Sequence, residues 1–282
     1  MIPAAFEYER AESVDQAVQL LGSNEDAKLL AGGHSLLPLM KLRLARPALL
    51  VDIDRLSDLE YVREDGNVVE VGALSRMAVL TQDPILWQHA PLLAHVCGQV
   101  GDPQVRHRAT LGGSVAHGDP ASDPPTALLT LDAELVVRGP SGERIIPASS
   151  FFKGIFETDL GAQDVLTAIR VPKQAEDTGW SYQKFHKRAI DWAIVGVAAL
   201  VGRDDGHVAR AAIGLTNMGS TPLRASGVEQ AVAGSDAGGL AAAAEHAPEG
   251  TNPVSDTNAS AEYRTEVSKV LVRRALEEAL GK

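Results

Sequence analysis

The chain has 282 residues, 45% of them hydrophobic, which is enough to bury the core of one large domain or of two to three small ones. Its 37 acids against 26 bases leave a formal net charge of −11, which argues against nucleic acid or anionic lipid as a partner. The single cysteine, Cys97, excludes an internal disulfide and any cysteine-rich iron–sulfur or zinc site made by this chain alone.

No apolar run reaches the roughly 18 residues needed to span a bilayer, and the opening MIPAAFEYER lacks the basic and apolar regions of a secretory signal. A cytoplasmic protein with no transmembrane segment is expected. In chain order, SVDQAVQLLGSN predicts a helix with Ser13 as N-cap, Gln16 as its reciprocal capping residue and Gly22 as stop. KLLAGG then reads as a strand, SLLPLMKLRLA as a helix ended by Arg46-Pro47, and ALLVDI as a second strand, so a small parallel βαβ unit is expected. EYVREDGNVVEVGA is two alternating runs about an Asp-Gly turn, the mark of a hairpin opening a second unit. That unit continues through helical SRMAVLTQD and PLLAHVCGQV, a Gly/Pro/Asp-rich loop from Gly101 to Pro125, helical TALLTLDA, and strands ELVVRG and DVLTAIRVP. From about Gly179 the strands lengthen (SYQKFHK, AIVGVAALVG and HVARAAIGL), followed by an Ala/Gly-rich acidic stretch over 229–260 and a closing helix, AEYRTEVSKVLVRRALEEAL.

Two segments share one grammar. Gly32-Gly33-His34-Ser35 follows a strand and precedes a helix, and Thr110-Leu111-Gly112-Gly113-Ser114 repeats the glycine pair. Glycine removes the Cβ that would keep a ligand from the backbone, and a helix N-terminus presents unpaired N–H groups, which are the needs of a phosphate. Neither segment contains lysine or arginine, so backbone amides and the hydroxyls of Ser35, Thr110 and Ser114 would hold the anion. Each pair can also be a plain turn. A P-loop lacks its Gly-Lys-Ser/Thr, a Rossmann site its G-x-G-x-x-G, and a hydrolase its G-x-S-x-G elbow. His34 and His117 have no third ligand at metal-binding spacing, so no metal site is expected. Asp123 ahead of Pro124-Pro125 reads as an N-cap or, more sharply, as a contact to a ribose or adenine.

Taken together, AGGHSLLPLMKLRLARPALLVDI, GDPQVRHRATLGGSVAHGDPASDPP, IGLTN, TPLRA and AEYRTEVSKVLVRRAL resemble the FAD-binding medium subunits of molybdenum hydroxylases. The likeness runs from Ile2 to the final helix and favours the aerobic, molybdenum–copper carbon monoxide dehydrogenase branch. It implies an α+β chain: a vanillyl-alcohol-oxidase/PCMH-type FAD-binding fold with a C-terminal three-stranded sheet plus helices. The expected divisions are residues 1–55 (N-terminal βαβ subdomain), 56–175 (middle α+β subdomain) and 176–282 (C-terminal flavoprotein domain). Carried over by motif, Ala31, Gly32, Gly33, His34 and Ser35 line the FAD pyrophosphate in the first segment, and Thr110, Leu111, Gly112, Gly113 and Ser114 in the second. Asp123 matches an acidic contact on the adenosine-side ribose, and Leu166 and Lys184 match positions beside the isoalloxazine. Two departures stand out. Ser114 replaces the family's common asparagine, still offering one hydroxyl donor, and Trp192 replaces a tyrosine that covers one flavin face, a role tryptophan can fill unless it is a core aromatic at a strand start.

The resemblance further implies a large subunit with a molybdenum–copper cofactor and a small subunit with two [2Fe-2S] clusters, forming a dimer of heterotrimers. A quinone or other acceptor would take the electrons, and the complex could sit peripherally at the inner face of the membrane. No catalytic residue is expected in this chain. Flavin subunits of aldehyde, nicotine or N-heterocycle dehydrogenases, a stand-alone FAD oxidase, and a scaffold without flavin are the alternatives.

Overall fold

A computed structural model describes residues 1–281. Its first unit runs β1 (Glu7–Arg10), α1 (Val14–Ser23), β2 (Ala27–Leu30), α2 (Leu36–Lys41) and β3 (Leu49–Asp52). The three strands form a parallel sheet in the order β1-β3-β2, so the expected βαβ unit is present with an additional edge strand. Ser13 caps α1 by accepting from the Gln16 amide (3.1 Å), while the Gln16 side chain reaches past Ser13 to accept from the Glu12 amide (2.6 Å). Ala17, Val18 and Leu21 are the buried face of α1. The second helix is shorter than the periodicity of SLLPLMKLRLA predicts: it stops at Lys41, because Arg43 turns to φ +61 and the Leu44 amide bonds back to the Leu39 carbonyl (2.9 Å).

The second unit comprises β4 (Val62–Asp65), β5 (Val68–Gly72), α3 (Met77–Leu80), α4 (Pro84–His89), α5 (Pro91–Gly98), α6 (Pro103–Arg106), α7 (Leu111–His117), α8 (Asp123–Thr130), β6 (Glu134–Gly139), β7 (Gly142–Pro147), α9 (Ala148–Phe151), β8 (Phe152–Gly154), β9 (Glu157–Thr158) and β10 (Val165–Pro172). Five of its strands form an antiparallel sheet, β4-β5-β10-β6-β7. One face carries Val69, Val71, Leu135, Val137, Ile169 and Val171 into a core shared with α5 and α8. The other is lined with charge: Arg170 lies 3.6–3.8 Å from Asp65, Glu70 and Glu134. The stretch from Gly101 to Pro125 is not the loop that its composition predicts, since it holds α6, α7 and the start of α8. Asp102 caps α6, with Pro103 at its first turn, and Thr110 caps α7; the brevity of both leaves no hydrophobic period to read.

The third unit comprises β11 (Thr178–Phe185), β12 (Val195–Asp204), β13 (His207–Thr216), β14 (Leu223–Arg224), α10 (Ser226–Val232), α11 (Leu240–Ala244) and α12 (Ala261–Gly281). Its antiparallel sheet is β11-β12-β13-β14, three long strands plus a two-residue fourth that the three-stranded expectation lacks. Asp205 and Gly206 both adopt positive φ (+49 and +79) in the β12–β13 turn, as a hairpin of this twist requires. Val195, Val197, Ala199 and Val201 pack with α12 on one side, and Tyr182 and Ala198 join the core of the second unit on the other. A strand buried on both faces reads as a continuous apolar run.

Candidate cofactor site

The first glycine segment is the turn between β2 and α2. Gly33 has φ +77, a conformation open to glycine. Gly32 has a different reason to be glycine: a Cβ built there overlaps the Arg108 carbonyl, so its close approach is to the protein's own second segment rather than to a ligand. The amides of Gly32, Gly33, His34 and Ser35 donate to no protein acceptor among the described residues, whereas the Leu37 and Leu39 amides close onto the Gly33 and Ser35 carbonyls. His34 is exposed and its Nδ1 lies 3.1 Å from the Gly32 carbonyl. A run of free amides on a half-buried turn is an anion cradle.

Charged side chains from outside both glycine segments stand beside it. Arg76 donates to the Arg108 carbonyl (2.5 Å) and to Asp54, and Arg108 reaches the other Asp54 oxygen at 3.3 Å. Partial burial pushes the Asp54 carboxyl up, but the two guanidinium groups overcome this and hold it below the ordinary carboxylate range. With Asp54 ionised the trio carries one net positive charge next to Gly32. Arg76 lies far from both glycine pairs in sequence, so only the fold brings it in.

The second segment differs from its expectation. It is the first turn of α7, and its amides are already spent inside the protein: Leu111 donates to Ser75 (3.0 Å), Gly112 to Ala73 (2.9 Å), Ser114 to the Thr110 carbonyl (3.1 Å) and Gly113 to the Thr110 hydroxyl (3.1 Å). Thr110 is thus the N-cap of α7. A Cβ on Gly112 overlaps Ala73, and one on Gly113 would crowd the Thr110 Oγ1 (2.7 Å) and lie 3.9 Å from the Ala31 Cβ. The two segments therefore meet, the first as donor and the second as a close-packed wall. The Ser114 hydroxyl pairs with that of Ser122 at 2.8 Å, next to Asp123.

Asp123 does not cap α8 through its side chain; Ser122 holds the cap position and Asp123 is the first helical residue, 4% exposed. Its oxygens accept from the Tyr182 hydroxyl (2.6 Å) and from the Lys184 ammonium (2.7 Å), and Lys184 also donates to the Gln99 carbonyl (3.0 Å). Thr216 lies 3.4 Å from the Tyr182 hydroxyl and donates to Thr126 (2.7 Å). Burial raises the Asp123 carboxyl against the opposing pull of Lys184, and it pushes the Tyr182 phenol well above its ordinary range. Asp123 and Lys184, expected at opposite ends of an elongated cofactor, meet in one ion pair. No motif announces Tyr182; its sequence signal is an aromatic two residues before the lysine of SYQKF.

Leu166 is buried on β10 beside a register break between Leu166 and Ala168. Thr167 within that break accepts from the Ala73 amide, and Ala73 accepts from Gly112, which ties the Leu166 strand to the second glycine segment. Trp192 stands apart: it is 67% exposed on the connection between β11 and β12, which rules out a core aromatic. His117, at the last turn of α7, is half-buried against Phe156 with ring centroids 4.9 Å apart.

Residues 4–174 match the FAD binding domain in molybdopterin dehydrogenase, and residues 180–279 match the CO dehydrogenase flavoprotein C-terminal domain. The chain is 42% identical to the carbon monoxide dehydrogenase medium chain of Hydrogenophaga pseudoflava over 98% of its own length and 97% of the relative's. Against the 6-hydroxypseudooxynicotine dehydrogenase complex subunit alpha of Paenarthrobacter nicotinovorans it is 37% identical over 99% and 96%. Among solved structures, it superimposes on a chain of the H. pseudoflava carbon monoxide dehydrogenase with a TM-score of 0.97, 43% identity and coverage of 100% and 99%. It superimposes equally well on quinoline 2-oxidoreductase from Pseudomonas putida 86, with a TM-score of 0.96 at 32% identity and the same coverage.

Proposed function

The chain belongs to the family of FAD-binding subunits of molybdopterin dehydrogenases, and from that premise we propose that it is the FAD-carrying electron-transfer subunit of an aerobic, molybdenum–copper carbon monoxide dehydrogenase. The reaction, CO + H2O → CO2 + 2 H+ + 2 e−, would take place on a large partner subunit. The chain would receive its electrons through two [2Fe-2S] clusters of a small subunit and pass them to a quinone or other acceptor, in a cytoplasmic dimer of heterotrimers. The observation that carries the reading is the 42% identity to a carbon monoxide dehydrogenase medium chain along nearly the whole of both chains. Near-identical TM-scores for a carbon monoxide and a quinoline enzyme mean that the flavin subunit's fold does not select the substrate.

The residues suit FAD. Free amides over Gly32–Ser35, beside a net positive Arg76–Asp54–Arg108 cluster, match a pyrophosphate. When bound, FAD supplies one-at-a-time electron uptake and two-electron storage. The role of Ala31 to Ser35 is to hold the anion, and that of Thr110 to Ser114 is to close the opposite wall by packing. Lys184, confined by Asp123 and Gln99, keeps a fixed positive charge in the ring-end part of the site together with Leu166, and Asp123 acts through Lys184 rather than on the ribose. Trp192, exposed on the connection between β11 and β12, would cover one face of the ring, the role the family likeness implies for it.

The anaerobic visible spectrum of the complex purified with its natural partners, recorded before and after CO, tests this. Bleaching of both flavin and iron–sulfur bands by CO is the expected result. Bands that bleach with dithionite but not with CO would end the carbon monoxide assignment and leave the flavin-subunit reading in place. A colourless complex would end both.

A further inference from the structure

Residues 27–51 contain Lys28, His34, Lys41, Arg43 and Arg46 and no aspartate or glutamate, in a chain of net charge −11. The surface part of this acid-free run is Lys-Leu-Arg-Leu-Ala-Arg at residues 41–46. Leu42 and Leu44 are 56% and 74% exposed, and among the described residues Lys41, Arg43 and Arg46 enter no ion pair, the Arg46 Nε donating instead to the Arg43 carbonyl at 3.1 Å. The strip is nevertheless ordered. The Arg43 amide bonds to the Met40 carbonyl (2.9 Å), the Leu44 and Ala45 amides both bond to Leu39 (2.9 and 3.3 Å), and Met40 and Pro47 are buried beneath it.

We infer that residues 41–46 form the surface on which an acidic face of the electron-supplying partner subunit docks, an inference that rests on reading the chain as one subunit of a larger complex. Unpaired cations alternating with solvent-exposed leucines supply both halves of an interface, apolar contact and a complementary charged rim. Because the strip is already held in one shape, docking costs little ordering entropy. Its position is informative as well: the helix that leads into it, α2, begins at the glycine segment, so a partner seated here stands next to the cofactor site. Anionic lipid is the weaker occupant. Three cations give only a weak pull towards anionic lipid, two leucines are a marginal anchor without a second signal, and the chain's overall negative charge opposes approach.

The test compares Lys41→Glu/Arg43→Glu and, separately, Leu42→Ser/Leu44→Ser with the wild-type chain, titrated against its partner subunits and followed by native mass spectrometry at low and high salt. Both variants are expected to bind the partners at least about tenfold more weakly, equivalent to about 1.4 kcal/mol, with wild-type affinity falling as salt rises. Their flavin content and melting temperature should stay at wild-type values, since nothing beneath the strip is changed. Wild-type affinity in both variants overturns the inference. So does loss of binding to phosphatidylglycerol vesicles in the variants with assembly unaffected, which would assign the strip to lipid. A wild-type chain that isolates with no stoichiometric partner removes the subunit reading itself, an outcome distinct from an intact wild-type complex whose variants assemble equally well.

Discussion

At the scale of single residues, burial decides which charges this chain can carry. His117 is held below its ordinary value by desolvation against Phe156 and the end of α7, partly offset by Asp119. The folded protein thus takes up this proton less readily than the unfolded chain. The stabilising contribution of neutral His117 is complete above the ordinary histidine value of about 6.5 and is lost as pH falls from there through the lower folded-state value. Thermal melts followed downward from neutral pH should show this decline, and His117→Gln should flatten that part of it. An unchanged slope in the variant would place the titration elsewhere. In the sequence His117 has no third ligand at metal-binding spacing, and nothing local reveals its surroundings, which depend on Phe156, brought over the ring by a hairpin.

At the scale of elements, α7 shows what a local pattern can and cannot reveal. Thr110 was legible as a hydroxyl beside a glycine pair, and its work in the fold is to cap a seven-residue helix whose other first-turn amides are taken by Ser75 and Ala73. A helix this short does not stand alone, and the carbonyls that stabilise it come from the end of β5 and the turn after it, so no periodicity within the segment announces it. Thr110→Ala should cost about 1 kcal/mol and lower flavin retention by loosening Gly113 from its place against Ala31, while Thr110→Ser keeps both. Calorimetry together with flavin content per chain checks this, and a variant with undiminished flavin would mean that the wall is set by packing rather than by the cap. The α2 helix is the converse case: its apolar period extends through Leu44, but the backbone reversal at Arg43 turns that residue and Leu44 into surface.

At the scale of the whole molecule, the second and third units share an apolar core that encloses a buried polar cluster, Asp123 and Thr126 on α8 facing Tyr182, Lys184 and Thr216 on the third sheet. Asp123→Asn leaves the Lys184 ammonium buried without its counter-charge and should destabilise the protein by about 3–5 kcal/mol. Tyr182→Phe removes one donor from a carboxylate that keeps its lysine, and should cost about 1–3 kcal/mol. Urea unfolding measures both, and the reverse ranking would show that the ion pair is not the main tie across the seam. The sequence by itself determined the parts that rest on neighbours along the chain: the Ser13 cap, the two hairpins about Asp-Gly turns, the βαβ unit and the long strands of the third sheet. Tertiary structure alone decided that Gly32 packs on Arg108, that Arg76 and Asp54 flank the cradle, and that Asp123 and Lys184 share one ion pair. These are contacts between residues tens of positions apart, and no local period or motif encodes which distant backbone or charge the folded chain will bring against them.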